Sequence, residues 1–399
     1  MPTSREPVSA PGPAPGSPES EQAWLDLFFD LVFVAAILIL SSEFSHADDV
    51  GESFWFAGAF VSIWWVWLAT TMYANRFPTD DVVHRLLTLT QMFLVALVAI
   101  GAGDGAHAHP EFDSICYGLL TFTVALTYAR AARPHVEKAG FARRRAIEYT
   151  VAAVIFTLAG LFPEGVRLGL WFLGLAVTIA PAIAHCTTAP PLEERRLLER
   201  LGALTIIMCG EAFVKVALAA NADSLDGIDV VTVALEFVLV FAVWATYFDD
   251  VPRAGASETP RGRSTWLGGH LLLHLGIIGV AIGVSRFVVF HPGQDVPTPD
   301  VAAVAIPLAE IYLALILISF VSRRRPLDRL VLIRLAAVLG VAVVVGVAEW
   351  ATWFDTYWSV AAFALVAIAE AGAEAAARSR TIVLPAGSRP GADPGQVRR

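Results

Sequence analysis

The stretch "WLDLFFDLVFVAAILILS" (residues 24–41) sets two aspartates, Asp26 and Asp30, at the start of an unbroken apolar run. A helix that crosses a bilayer needs about 20 predominantly apolar residues, so this run reads as a membrane span. Carboxylates are costly in hydrocarbon. These two lie four residues apart and therefore share one face of the helix. Asp26 falls near the interface, where a wetted, helix-capping role suits its sign beside the N-terminal dipole. Asp30 is a turn deeper, flanked by Phe29, Leu31 and Phe33, and must face the protein interior.

The same pattern recurs along the chain. Spans are expected at roughly 24–41, 53–74, 86–103, 114–132, 146–162, 166–185, 201–220, 229–248, 266–290, 301–321, 330–348 and 357–377. The fifth is the shortest and ends in a tight "PEG" turn (Pro163 to Gly165). Composition agrees, with 56% hydrophobic and only 16% charged residues in 399, against about 25% charged in a soluble domain. The predicted fold class is therefore all-α, a polytopic integral membrane protein of about 12 transmembrane helices with short loops. A net charge of -9, without a basic, aromatic-rich patch, argues against nucleic-acid binding.

Lys and Arg favour the cytoplasmic loops of membrane proteins. Of the 28 here, all but Arg167, Lys215, Arg286 and Arg334 fall in one alternating set of loops and the tails. The heaviest runs are "ARAARPHVEKAGFARRR" (129–145), "EERRLLER" (193–200) and "SRRRPLDR" (322–329). The opposite set is acidic, as in "SSEFSHADDVGE" (41–52). Both termini are thus expected in the cytoplasm of a cell (inner or plasma) membrane protein. The Pro-, Ser- and Gly-rich segments 1–22 and 381–399 read as disordered tails, the first lacking the apolar core of a signal peptide. Cys116, Cys186 and Cys209 fall at three membrane depths on this topology, which excludes disulfides among them.

The third and ninth spans share a rhythm of apolar run, glycines and a His-Pro acidic loop, and the second and eighth end in similar acidic turns. This predicts a parallel 6+6 internal repeat, residues 23–192 and 193–380, related by an axis along the membrane normal.

Three segments together resemble the bacterial low temperature requirement protein A (LtrA) family: "LDLFFDLVFV" (25–34), "WWVWLATTMYANRFPTDD" (64–81) and "EERRLLERLGALTIIMCGEAFVKV" (193–216). Asp26 stands where that family usually has Glu, which keeps a carboxylate in place. The resemblance implies a polytopic bacterial membrane protein associated with growth in the cold. It implies no substrate.

Intramembrane ionisable groups are candidates for function. Glu211 and Lys215 in the seventh span are one turn apart in the order that favours an ion pair, either a structural pair or part of a transport path. Under the repeat, Asp30 and Glu211 would face each other across the pseudo-twofold axis. His270 and His274 ("HLLLH") share a face; buried, hydrogen-bonded imidazoles are the favoured reading over a metal site, which would need further ligands. Glu236 and Glu310 are isolated carboxylates, with Arg286 and Arg334 as possible partners. Asn75, Arg76, Asp80 and Asp81 cluster at the cytoplasmic end of the second span, where a solvated helix cap is expected. Trp64, Trp65 and Trp67 read partly as an interfacial belt.

No P-loop, HExxH or nucleophile elbow is present, so neither an enzyme nor a cofactor is expected. The expected function is a proton- or ion-coupled secondary transporter, with the lipid bilayer and an unidentified small solute or ion as its partners. An ion channel and a non-catalytic membrane scaffold involved in cold growth are the alternatives. The sequence leaves the oligomeric state open.

Overall fold

A computed structural model describes residues 18–43, 50–79, 81–103, 109–222, 230–287, 297–323, 328–351 and 356–382. Among these the chain forms twelve α-helices and no strand: α1 (Pro18–Glu43), α2 (Val50–Arg76), α3 (Val82–Gly103), α4 (Pro110–Ala131), α5 (Ala139–Ala159), α6 (Glu164–Ala184), α7 (Glu194–Ala222), α8 (Val230–Ala254), α9 (Pro260–Phe287), α10 (Thr298–Val321), α11 (Asp328–Trp350) and α12 (Thr356–Ile382). All twelve expected spans are present as helices, and several begin a turn or more earlier than hydropathy suggests. Eleven are long and apolar enough to cross a membrane. The exception is α5, whose opening turns carry Arg143, Arg144, Arg145 and Glu148.

The bundle carries its apolar side chains on both sides. Phe29, Phe33, Trp64, Trp67, Trp266 and Tyr247 are fully buried, while Phe28, Leu31, Phe93, Leu173 and Leu339 face outward. In water that exterior would be an association hazard; in a bilayer it is the lipid-facing belt. The chain is a polytopic membrane protein.

Helix α1 packs on α2 and α3, α3 on α4, α4 on α5, and α5 on α6; α7 packs in the same way on α8 and α9, α9 on α10, α10 on α11, and α11 on α12. Helices α9 and α10 approach closely. A Cβ at Gly276 or Gly283 would collide with the backbone of Pro307 or Ala303, so only glycine lets these helices touch. Close backbone approach of this kind supplies the van der Waals contact that drives helix association in lipid. Contacts between the first and last six helices run through α1 and α2 against α7 and α9. That junction contains most of the ordered polar groups described next.

Candidate functional site

Helix α1 turns Asp30 into the junction, where it is 0% exposed. Its Oδ1 accepts hydrogen bonds from Trp67 Nε1 of α2 (2.6 Å) and Arg200 Nη2 of α7 (2.6 Å). The other arm of the guanidinium, Nη1, lies 2.8 Å from Asp26 Oδ1. One arginine thus forks across two carboxylates that α1 stacks a turn apart. Nη2 also lies 3.4 Å from Thr71 Oγ1, and Arg196 flanks Asp26 at 3.7 Å. Asp30 Oδ2 is buried without a hydrogen-bond partner among the described residues, leaving one carboxylate oxygen able to take a proton.

This arrangement corrects two expectations. Asp26 is not a wetted cap: α1 begins at Pro18, two turns earlier, and Asp26 is an ion-pair partner. Glu211 does not face Asp30. The seventh helix reaches Asp30 with Arg200, and Glu211 lies eleven residues further on, about 16 Å along the axis. Glu211 and Lys215 are both buried on α7 and attract one another through space.

Above Asp30, away from the end where α1 begins, a chain of neutral groups ties α2, α7 and α9 together. Trp64 Nε1 donates to His274 Nδ1 (3.0 Å), and His274 Nε2 lies 2.9 Å from Thr205 Oγ1, whose hydroxyl bonds the Leu201 carbonyl. With Nδ1 accepting and Thr205 donating onward, Nε2 carries the proton, so His274 is a neutral imidazole. His270 is the opposite tautomer. Its Nδ1 donates to the Trp266 carbonyl (2.9 Å) and its Nε2 faces Tyr247 Oη at 3.3 Å. Both histidines are buried and hydrogen-bonded, the reading favoured from sequence. Trp64 and Trp67 are fully buried, so the interfacial-belt reading is wrong for these two.

The remaining candidates are dispersed. Arg286 bonds Asp300 at 3.2 Å rather than either of the two glutamates suggested for it. Arg334 is fully buried and bonds Glu374 (2.7 Å), Asp250 (2.7 Å), Ser319 (2.6 Å) and the Leu315 carbonyl (3.0 Å). Arg378 joins Glu374 from the next turn of α12, and Thr246 of α8 bonds Glu370 at 2.7 Å. Glu236 is buried on α8 and Glu310 half-buried on α10. The Asn75 cluster is a clasp rather than a solvated cap. Asn75 Nδ2 donates to the Glu193 carbonyl (3.0 Å) and its Oδ1 accepts from Glu193 N (2.8 Å), while Arg76 Nε bonds the Pro190 carbonyl (3.1 Å). These bonds fix the α6–α7 connection to the end of α2. Asp81 accepts from His84 N at 2.9 Å and pairs with Arg130. Asp80 lies outside the described residues.

Sequence reading missed Arg200, Asp250, Glu370, Glu374 and Arg378. A signal existed for some of them. Arg200 is in phase with the buried Leu197, Leu201 and Leu204, and Glu370 and Glu374 with Phe363 and Ala367; a charge on the buried stripe of a span demands an internal partner.

Among known proteins, the chain is 26% identical over 296 residues to "Uncharacterized protein RA0937" of Rhizobium meliloti (strain 1021), covering 69% of this chain and 71% of that one. The family described as bacterial low temperature requirement A protein (LtrA) matches residues 22–371, the stretch that contains the Asp30–Arg200 cluster and the histidine chain. The chain belongs to the LtrA family.

Proposed function

We propose that the protein is a secondary transporter of the cell membrane, with both termini cytoplasmic, that couples movement of a small solute or ion to protons or another ion. The observation that carries this reading is the buried Asp30, paired to Arg200 across the junction of the first and last six helices. An ion pair across a junction is a two-state element. Protonation of Asp30, or a competing cation, weakens the hold on Arg200, and α1 and α2 are then free to shift against α7. Rocking of two halves about a central site is how many carriers alternate access. The recurrence of most neighbouring-helix contacts in α1–α6 and α7–α12, the packing of α8 on α12 excepted, supports a parallel repeat behind such a motion. The reading assigns the protein no catalytic step.

The test is flux in liposomes reconstituted with the full chain, using an imposed pH gradient, a panel of inorganic ions and small solutes, and a trapped pH dye. Coupled flux that vanishes in Asp30→Asn is expected. Passive single-channel conductance without coupling would overturn the carrier in favour of a channel.

A further inference from the structure

Helix α6 stands off from the bundle: only Gly174, Leu175 and Thr178 of it are buried. Between α6 and the ends of α1 to α4 is a cavity of about 490 Å³, within the roughly 300–1,000 Å³ of pockets that hold small organic ligands. It lies at the acidic-loop end of the bundle, which the proposed topology turns outward. Its floor is braced. Ser62 of α2 accepts from Trp171 Nε1 (2.9 Å) and donates to the Gly58 carbonyl (2.8 Å), while Tyr117 Oη donates to the Ser62 carbonyl (2.9 Å). Tyr117 and Trp171 stack with ring centroids 5.0 Å apart, and Trp55 and Phe172 extend the aromatic wall.

Among the described residues, three carboxylates line the cavity, Glu52, Asp113 and Glu164, against one guanidinium, Arg167. Asp113 lies over the bare backbone of Gly101. Beside it Ser114 Oγ is fully buried without a hydrogen-bond partner among the described residues, although Ser114 lines the cavity. A buried hydroxyl left without a protein partner costs free energy that a ligand donor or acceptor would recover. Excess negative charge with aromatic faces is the chemistry that recognises ammonium groups on apolar bodies. We propose that this cavity is a binding site for an organic cation, its ammonium head at Asp113, Glu164 and Ser114 and its apolar body against Tyr117 and Trp171.

This claim concerns equilibrium binding and holds whether or not the protein transports what it binds. The probe is radiolabelled benzyltrimethylammonium, in equilibrium dialysis against the full chain in phosphatidylcholine nanodiscs. Saturable binding is expected, with no competition from neopentylbenzene, the neutral carbon isostere. Asp113→Asn/Glu164→Gln should weaken binding at least about tenfold, as loss of charge-assisted contacts would. A Cβ at Gly58 meets nothing within 4 Å, so Gly58→Phe should fill the cavity without disturbing the fold and abolish binding. Leu168→Trp, from the α6 side, is the second filling variant. The proposal is overturned by absence of saturable binding to wild type, by equal competition from neopentylbenzene, as a lipid-like greasy cavity would give, or by undiminished binding in folded filling variants or in Asp113→Asn/Glu164→Gln.

Discussion

At the scale of single residues, Arg200 and Asp30 differ in what their loss should do. Arg200→Met removes the shared cation and leaves the fully buried Asp30 a turn from Asp26, which keeps only Arg196 beside it. Stranding a buried charge costs about 3–5 kcal/mol, so this variant should melt lower and express less. Asp30→Asn keeps an oxygen to accept from Trp67 but cannot ionise. It should fold as wild type does and lose proton-coupled flux. Asp30→Asn/Arg200→Met should recover part of the stability lost by Arg200→Met alone. Thermal unfolding of the three purified variants measures this, and an Arg200→Met curve that overlays wild type would show that the pair contributes nothing. Half of this site was legible in the sequence. The depth of Asp30 and its apolar flanks forced it inward, but its partner was hidden in "EERRLLER", where the count of basic residues revealed the side of the membrane and obscured the helical phase. Trp67 was hidden for a related reason, since tryptophans near a span end satisfy both an interfacial and a buried reading.

At the scale of helices, hydropathy located every helix and misplaced several beginnings. The helices α1, α5, α7 and α9 start about six or seven residues before their apolar runs, because their first turns are rich in polar residues, where hydropathy has no signal and hydrogen bonding still favours the helix. Capping is the complementary signal, and α3 shows it. Asp81 occupies the N-cap position, its carboxylate bonded to the amide of His84 three residues on. That bond, with help from Arg130, holds the Asp81 carboxyl below its ordinary range. A depressed carboxyl stabilises the folded state fully above its unfolded pKa, about 3.9, and that contribution is lost as pH falls through the folded value. Asp81→Ala should therefore cost about 1 kcal/mol at neutral pH, and the gap from wild type should close in acid below about pH 4. Paired urea melts at neutral and acidic pH check this. A gap that is constant with pH would mean that the ionised carboxylate is not what caps α3.

At the scale of the whole molecule, the two ends of the bundle differ in how they are held. At the basic end, side chains fasten loop to loop: Asn75 to Glu193, Lys138 to the Arg76 carbonyl, and Arg323 to Glu194 and Glu258. At the acidic end, α6 leans away and leaves the cavity. The basic loops predict which end meets the cytoplasm. Val136 (80% exposed) marks the basic end and Leu161 (73% exposed) the acidic one. In a background with Cys116, Cys186 and Cys209 replaced by serine or alanine, an impermeant maleimide applied to intact cells should label Leu161→Cys at once and Val136→Cys only after lysis. Labelling of Val136→Cys in intact cells, with Leu161→Cys protected, would turn the molecule over. The cavity would then open to the cytoplasm and the Asp30–Arg200 pair would close the external face.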